Sequence, residues 1–276
     1  MKRTLSVLLL LLFAAFANAQ IKTPAPSPLQ TIKQDFGLSS IEVSYSRPGV
    51  KGRKVFGDLV PFDKVWRTGA NGATTLTFGD DVMIDNKKIP AGKYGLLTIP
   101  GQKMWTIIIS KQTNVTSPAA YKPEEDVVSF QAKPTSIPFA IESFTIHIGD
   151  VKPESCQLYI LWEKTAVSFT IKTEIESKIM SSIDASMKSD KPAYFQAAMY
   201  YLDNGKDVKQ ASEWLSKAVE TNPDAFWIRY QQARAFAKAG KKTEAKQAAL
   251  KSIELAKAAK NDDYVALNEK LLTSLK

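Results

Sequence analysis

An N-terminal β-sandwich, mainly antiparallel, followed by an all-α tail of helical repeats is the fold class this chain predicts, and three observations carry it. From Ile41 to about Thr173, short β-type runs are separated by Gly, Pro, Asn and Asp turns. After Thr173 the apolar residues recur at three and four spacing instead of two. The helical half then matches itself when it is slid along by 34 residues. With 276 residues, 44% of them hydrophobic and 24% charged, the chain has material for one or two globular domains, and disorder throughout is excluded.

The N-terminus is read separately. Lys2 and Arg3 precede an apolar stretch from Leu5 to Phe16 and a small-residue cleavage site at Ala17-Asn18-Ala19, the layout of a signal peptide over residues 1–19. The apolar run is shorter than the roughly 20 residues a membrane anchor needs. Gln20 stands where a lipoprotein would carry cysteine. The expectation is an exported protein, periplasmic or secreted, with no transmembrane anchor. Residues 20–40, with Pro24, Pro26 and Pro28, are expected to form an extended, mobile leader.

The sandwich is expected over 41–173, built from nine runs at 41–46, 74–78, 82–86, 93–100, 104–110, 126–132, 143–149, 156–162 and 167–173. In the last, Val167, Phe169 and Ile171 fall on one face and Ser168, Thr170 and Lys172 on the other, the period of a half-buried strand. Asp85-Asn86, Pro90-Ala91-Gly92 and Pro100-Gly101 separate neighbouring runs at hairpin-like distances.

Residues 174–276 are expected to be helical. Ile175, Ile179, Ile183 and Met187 line one side of a first helix. The 34-residue shift lays Ala211 on Ala245, Ala218 on Ser252, Val219 on Ile253 and Glu220 on Glu254, while Gly205 and Gly240 each end a preceding helix. That period, and the run QASEWLSKAVETNPD at 210–224, resemble the tetratricopeptide repeat. Two tetratricopeptide-like repeats are expected, with a helix before them and a capping helix from Asp262 to Leu275.

Catalytic and metal chemistry are limited by inventory. His147 is the one histidine and Cys156 the one cysteine, so a His-dependent nucleophilic site and a structural zinc site both lack their parts. Cys156, in an apolar run, reads as a buried small hydrophobe. The net charge of +9 becomes +7 without Lys2 and Arg3; export makes nucleic acid the least fitting acidic partner, and the lysines are interleaved with acids as on a solubilising surface. No cofactor is expected.

The segment from Tyr45 to Asn71 stands apart, holding three of the six arginines and four glycines between two strand runs. Tyr45, Arg47, Arg53, Trp66, Arg67 and Asn71 are candidate ligand residues: guanidiniums give planar, multi-donor recognition of carboxylate, phosphate or sulfate, and the aromatics give flat apolar surface beside it. The competing reading has the same groups brace a long connection by stacking and by bonding its carbonyls. On the helices, Tyr200, Trp227, Tyr230 and Arg234 are candidate partner-binding residues, whereas Trp214 reads as packing. The leading functional expectation is a non-enzymatic envelope adaptor that docks a protein partner on its helical repeats and adds a second surface at the arginine loop. The alternative is a carbohydrate- or acidic-polymer-binding module, with hydrolysis as a minor variant.

The segments YSRPGVKGRKVFGDLVPFDKVWRTGANGATTLTF at 45–78 and IPAGKYGLLTIPGQKMWTIIISK at 89–111 are similar to the exported bacterial family catalogued as domain of unknown function 2911, over roughly residues 28–170. Tyr45, Arg47, Pro48, Arg53, Gly57, Pro61, Trp66, Arg67, Gly69, Asn71, Pro90, Gly92 and Tyr94 carry the match. The resemblance implies an exported β-rich domain, followed in some members by helical repeats. It implies no reaction and no catalytic residue.

Overall fold

The computed structural model describes residues 23–275, so the expected signal peptide lies outside the described residues. The chain divides into two compact units, one ending at Ile175 and the other beginning at Glu176.

The first unit contains ten strands among the described residues: β1 (Leu29–Phe36), β2 (Ser39–Ser46), β3 (Thr74–Phe78), β4 (Val82–Ile84), β5 (Lys87–Ile89), β6 (Gly92–Ile99), β7 (Trp105–Ser110), β8 (Asp126–Ala132), β9 (Thr135–Lys152) and β10 (Ser155–Lys172). They form a six-stranded sheet, β1-β2-β3-β6-β7-β8, and a four-stranded sheet, β5-β4-β10-β9. Every strand pair is antiparallel. The period-2 apolar pattern sets the register. Val43 lies opposite Leu76, which lies opposite Tyr94, so one inward row crosses three strands. A slip of one residue would turn that row to solvent. The row packs with Phe144, Ile146, Leu158, Ile160 and Trp162 of the other sheet in one core.

Three sequence expectations are corrected here. The 20–40 leader holds β1, which pairs with β2 along its full length from Leu29↔Ser46 to Phe36↔Ser39. The three prolines end at Pro28 and leave the residues after them free to pair, and Gly37, at φ 60°, closes a two-residue hairpin loop with Leu38. The runs 156–162 and 167–173 are one strand, because the polar pair between them is not a break. Glu163 takes φ 52°, and the ladder steps past it through register shifts. The run 82–86 is a strand and a turn: Asp85 and Asn86, at φ 49° and 60°, lead into the short β5.

The second unit contains six helices among the described residues: α1 (Glu176–Met187), α2 (Tyr194–Asp203), α3 (Val208–Thr221), α4 (Phe226–Lys238), α5 (Lys242–Ala258) and α6 (Asp262–Ser274). From α2 onward each packs on the next, and α4 also touches α2 and α6. Close approach is set by small residues: Ala211, Ala218, Ala245, Ala249 and Ser252 are buried at the seams. Asp207 caps α3 by accepting from the Lys209 and Gln210 N–H groups at 2.8 and 3.2 Å. After α2, α4 and α5 the chain turns through a left-handed residue: Gly205 (φ 67°), Gly240 (φ 75°) and Lys260 (φ 54°).

Lys260 thus does with a side chain what glycine does at the two equivalent turns. Lys260→Gly is expected to stabilise the chain by about 1 kcal/mol, read as a higher urea midpoint with an unchanged slope, since the left-handed conformation costs a non-glycine residue about that much.

Candidate functional site

The connection between β2 and β3 is far longer than a hairpin needs, and it is held like a piece of sheet. Its residues supply all the isolated bridges among the described residues: Gly49↔Ser143, Phe56↔Val60 and Trp66↔Thr98. Trp66 and Thr98 exchange backbone hydrogen bonds of 2.7 and 2.9 Å, and the Phe144 N–H donates to the Pro48 carbonyl at 2.9 Å. The Trp66 ring stacks on Trp162 at 5.9 Å between centroids and meets Phe144, Phe56 and Trp105 edge-on at 5.2 to 6.3 Å. Each such aromatic pair adds about 0.5–1.5 kcal/mol beyond burial. Between Trp66 and Gly69 the backbone is strained: Thr68 is β-branched and fully buried at φ 53°. Its hydroxyl donates to Thr98 Oγ1 at 3.1 Å, and its carbonyl accepts from Thr74 Oγ1 at 2.5 Å. The strained step directs two adjacent side chains, Trp66 and Arg67, onto the wall of one cavity.

That cavity has a volume of about 520 Å³. Its walls come from the connection, from Pro26 and Ser27 before β1, from Trp162 on β10 and from Val115, Ser117 and Pro118 in the loop after β7. The loop is fastened at its far end, where Tyr121 donates to Asp126 Oδ2 at 2.5 Å, and burial pushes the pKa of both groups up. Lys51, Arg53, Lys64 and Arg67 line the cavity, and no aspartate or glutamate does. None of the four cations forms an ion pair among the described residues. Arg67 ties its Nη1 to the Thr116 carbonyl at 2.7 Å, while its Nε is buried without an acceptor. Arg53 is saturated on one edge, with Nε on the Val50 carbonyl at 3.0 Å and Nη2 on the Gly49 carbonyl at 2.6 Å.

The six residues proposed from sequence therefore separate into two groups. Arg53, Trp66 and Arg67 meet at the cavity. Tyr45, Arg47 and Asn71 do not line it, and brace the connection instead. Tyr45 is buried; its hydroxyl lies 2.7 Å from Gln30 Oε1, accepts from the Ile146 N–H at 3.0 Å, and is 3.1 Å from the Ile146 carbonyl. Burial raises its pKa. Arg47 donates through Nε to the Phe144 carbonyl and through Nη2 to Thr145 Oγ1, both at 3.0 Å. Asn71, at φ 64°, donates to Ser46 Oγ at 3.1 Å. Lys51 and Lys64 lie in the same run, but among 31 lysines nothing in the sequence marks them out. Trp162 and Val115 carry no sequence signal that would join them to it.

Elsewhere, His147 is exposed on β9, stacked 6.1 Å from Tyr159, and Cys156 is buried, which pushes its thiol up to about 11. Among the described residues no three His, Cys, Asp or Glu side chains cluster as a metal site would need. On the helices, Trp227 is 44% exposed, Tyr230 packs edge-on against Tyr264 at 5.6 Å, and Arg234 bonds Gln231 Oε1 at 2.6 Å and reaches Asp203 at 3.4 Å. Tyr200 is half-buried, and its carbonyl accepts from Asn204. Trp214 is half-buried and packs on Tyr201 at 4.8 Å against the helical core.

The family model described as protein of unknown function (DUF2911) matches residues 27–171, more than half of the chain. The chain belongs to that family. The match opens just before β1 and closes one residue short of the end of β10, so every residue lining the cavity except Pro26 falls within the match and the helices lie outside it. Among curated proteins and among solved structures, nothing matches. No helix among the described residues is long and apolar enough to cross a membrane.

The bracing role of Tyr45 is testable. Tyr45→Phe leaves the buried Ile146 N–H without its acceptor and is expected to cost about 1–3 kcal/mol in urea unfolding at pH 7. Because the folded-state pKa is raised above the ordinary 10.0, the phenol's contribution is intact below pH 10 and is lost as pH rises beyond it. The alkaline fall in stability should therefore be shallower in the variant.

Proposed function

We propose that the DUF2911 domain of this chain is a binding module for an anionic ligand, and that the cavity beside Trp66 is where the ligand sits. One observation carries the reading: among the described residues, four cations line the wall with no carboxylate beside them and no ion pair to occupy them. A wall of one sign, partly withdrawn from water, attracts the opposite charge more strongly than the same groups on an open surface. Its volume falls in the range that encloses a small-molecule ligand. The strained Thr68 supports the assignment, since backbone strain gathers where geometry is fixed for a ligand.

The proposal sets the cavity ahead of the helical adaptor as the primary function. Export through the segment at 1–19 belongs to the same proposal and would place the module in the periplasm or outside the cell. The adaptor role remains a second reading because Trp227, Tyr230 and Arg234 stand at i, i+3 and i+7 on α4, with Trp227 among the exposed large hydrophobics. Capture of one specific protein by the wild-type chain, lost in Trp227→Ala, would support it.

For the cavity, binding of the fluorescent anion anilinonaphthalene sulfonate to the folded chain is the direct test. Lys64→Met combined with Arg67→Met is expected to weaken it at least tenfold, about 1.4 kcal/mol, with the thermal midpoint little changed. Equal binding by the doubly substituted, folded chain would reject the site.

A further inference from the structure

Resting on the anion-binding reading, we infer that the ligand is a small amphiphile: one carboxylate, phosphate or sulfate head held by Arg67, with an apolar body laid against the apolar wall around Trp66. The cavity wall supports a ligand of two characters. Leu59, Pro61, Val65, Trp66 and Pro118, none of them buried, give it an apolar surface. Among the described residues, its only hydroxyl or amide side chains are Ser27 and Ser117. A sugar chain brings a hydroxyl on nearly every carbon, and each needs a partner once it leaves water. Two serines do not meet that demand, whereas an aliphatic or aromatic body makes none.

The four cations are not equivalent, and the difference locates the head. Lys51, Lys64 and Arg53 are exposed, and Arg53 already spends Nε and Nη2 on carbonyls of its own loop. Arg67 is half-buried, tied through Nη1 to a single carbonyl, and holds a buried Nε–H with no acceptor. An unpaired buried donor on a cation is costly, and an oxyanion supplies what it lacks. Nε lies out of contact with solvent, so the head reaches it as the side chain turns off the Thr116 carbonyl into the cavity. Nε and Nη2 then form the planar fork that a carboxylate or phosphate fits with two parallel hydrogen bonds.

The test is a titration of the full chain, by displacement of anilinonaphthalene sulfonate, with decanoate, acetate, decanol, inorganic phosphate and a short oligogalacturonate. Decanoate should bind at least tenfold tighter than both acetate and decanol. Arg67→Met should abolish its advantage over decanol, Arg67→Lys should restore only part of it, and Ala70→Phe, which fills the cavity without touching charge, should block both. Thermal melts identify folded variants, and if Arg67→Met does not fold, Arg67→Lys and Ala70→Phe carry the comparison. Arg67-dependent binding of phosphate or oligogalacturonate with none of decanoate would overturn the amphiphile and leave the anion site standing. Decanol binding as tightly as decanoate would overturn the head anchor. Failure of every anion to bind would remove both this inference and the reading beneath it.

Discussion

The docking of Trp66 into the sandwich is the interaction on which the rest of the DUF2911 domain's architecture depends. A connection as long as the one between β2 and β3 would ordinarily run over the surface, free to move. Here its backbone pairs with Thr98 and its indole enters a cluster with Phe56, Trp105, Phe144 and Trp162. Once Trp66 is fixed, the strained turn at Thr68 fixes Arg67, and Arg67 reaches the Thr116 carbonyl in the loop after β7. Two loops distant in sequence thereby become walls of one cavity. Tyr45 and Arg47 reinforce the arrangement by clipping the start of the connection to the backbone of β9 at Phe144 and Ile146.

Charge in this region follows from that scaffold. Arg47 spends its donors on the Phe144 carbonyl and the Thr145 hydroxyl, and Arg53 spends two of its donors on the Gly49 and Val50 carbonyls. Arg67 spends one and keeps a buried donor unpaired. Among the described residues no carboxylate lines the cavity wall, although the chain carries 28 acidic residues. Such an arrangement destabilises the empty site slightly through like-charge repulsion and lowers the cost of admitting an anion.

The sequence made most of the fold legible because the signals there are local. The runs 74–78 and 126–132 coincide with β3 and β8, and the 34-residue shift pairs positions that are buried at helix seams, Ala211 with Ala245 and Ala218 with Ser252. The first strand was hidden by Pro24, Pro26 and Pro28, whose local preference says nothing about the residues after them. The site was half legible. Arginine and aromatic residues in one glycine-rich run mark either a ligand loop or a braced one, and the side chains that brace are chemically the same as those that bind. Tyr45 and Arg53 could not be told apart without knowing that one faces the core and the other the cavity. Trp162 and Val115 join the site only through tertiary structure, and composition holds no trace of that.

The claim beneath all of this is that the connection is a preorganised part of the sandwich. Native-state hydrogen exchange of the full chain, followed at the Trp66 and Thr98 amides, tests it most directly. The account predicts that both exchange as slowly as the central amides of β3 and β6, through global unfolding alone. Exchange at Trp66 and Thr98 at the rates of an exposed loop, while β3 and β6 stay protected, would contradict it.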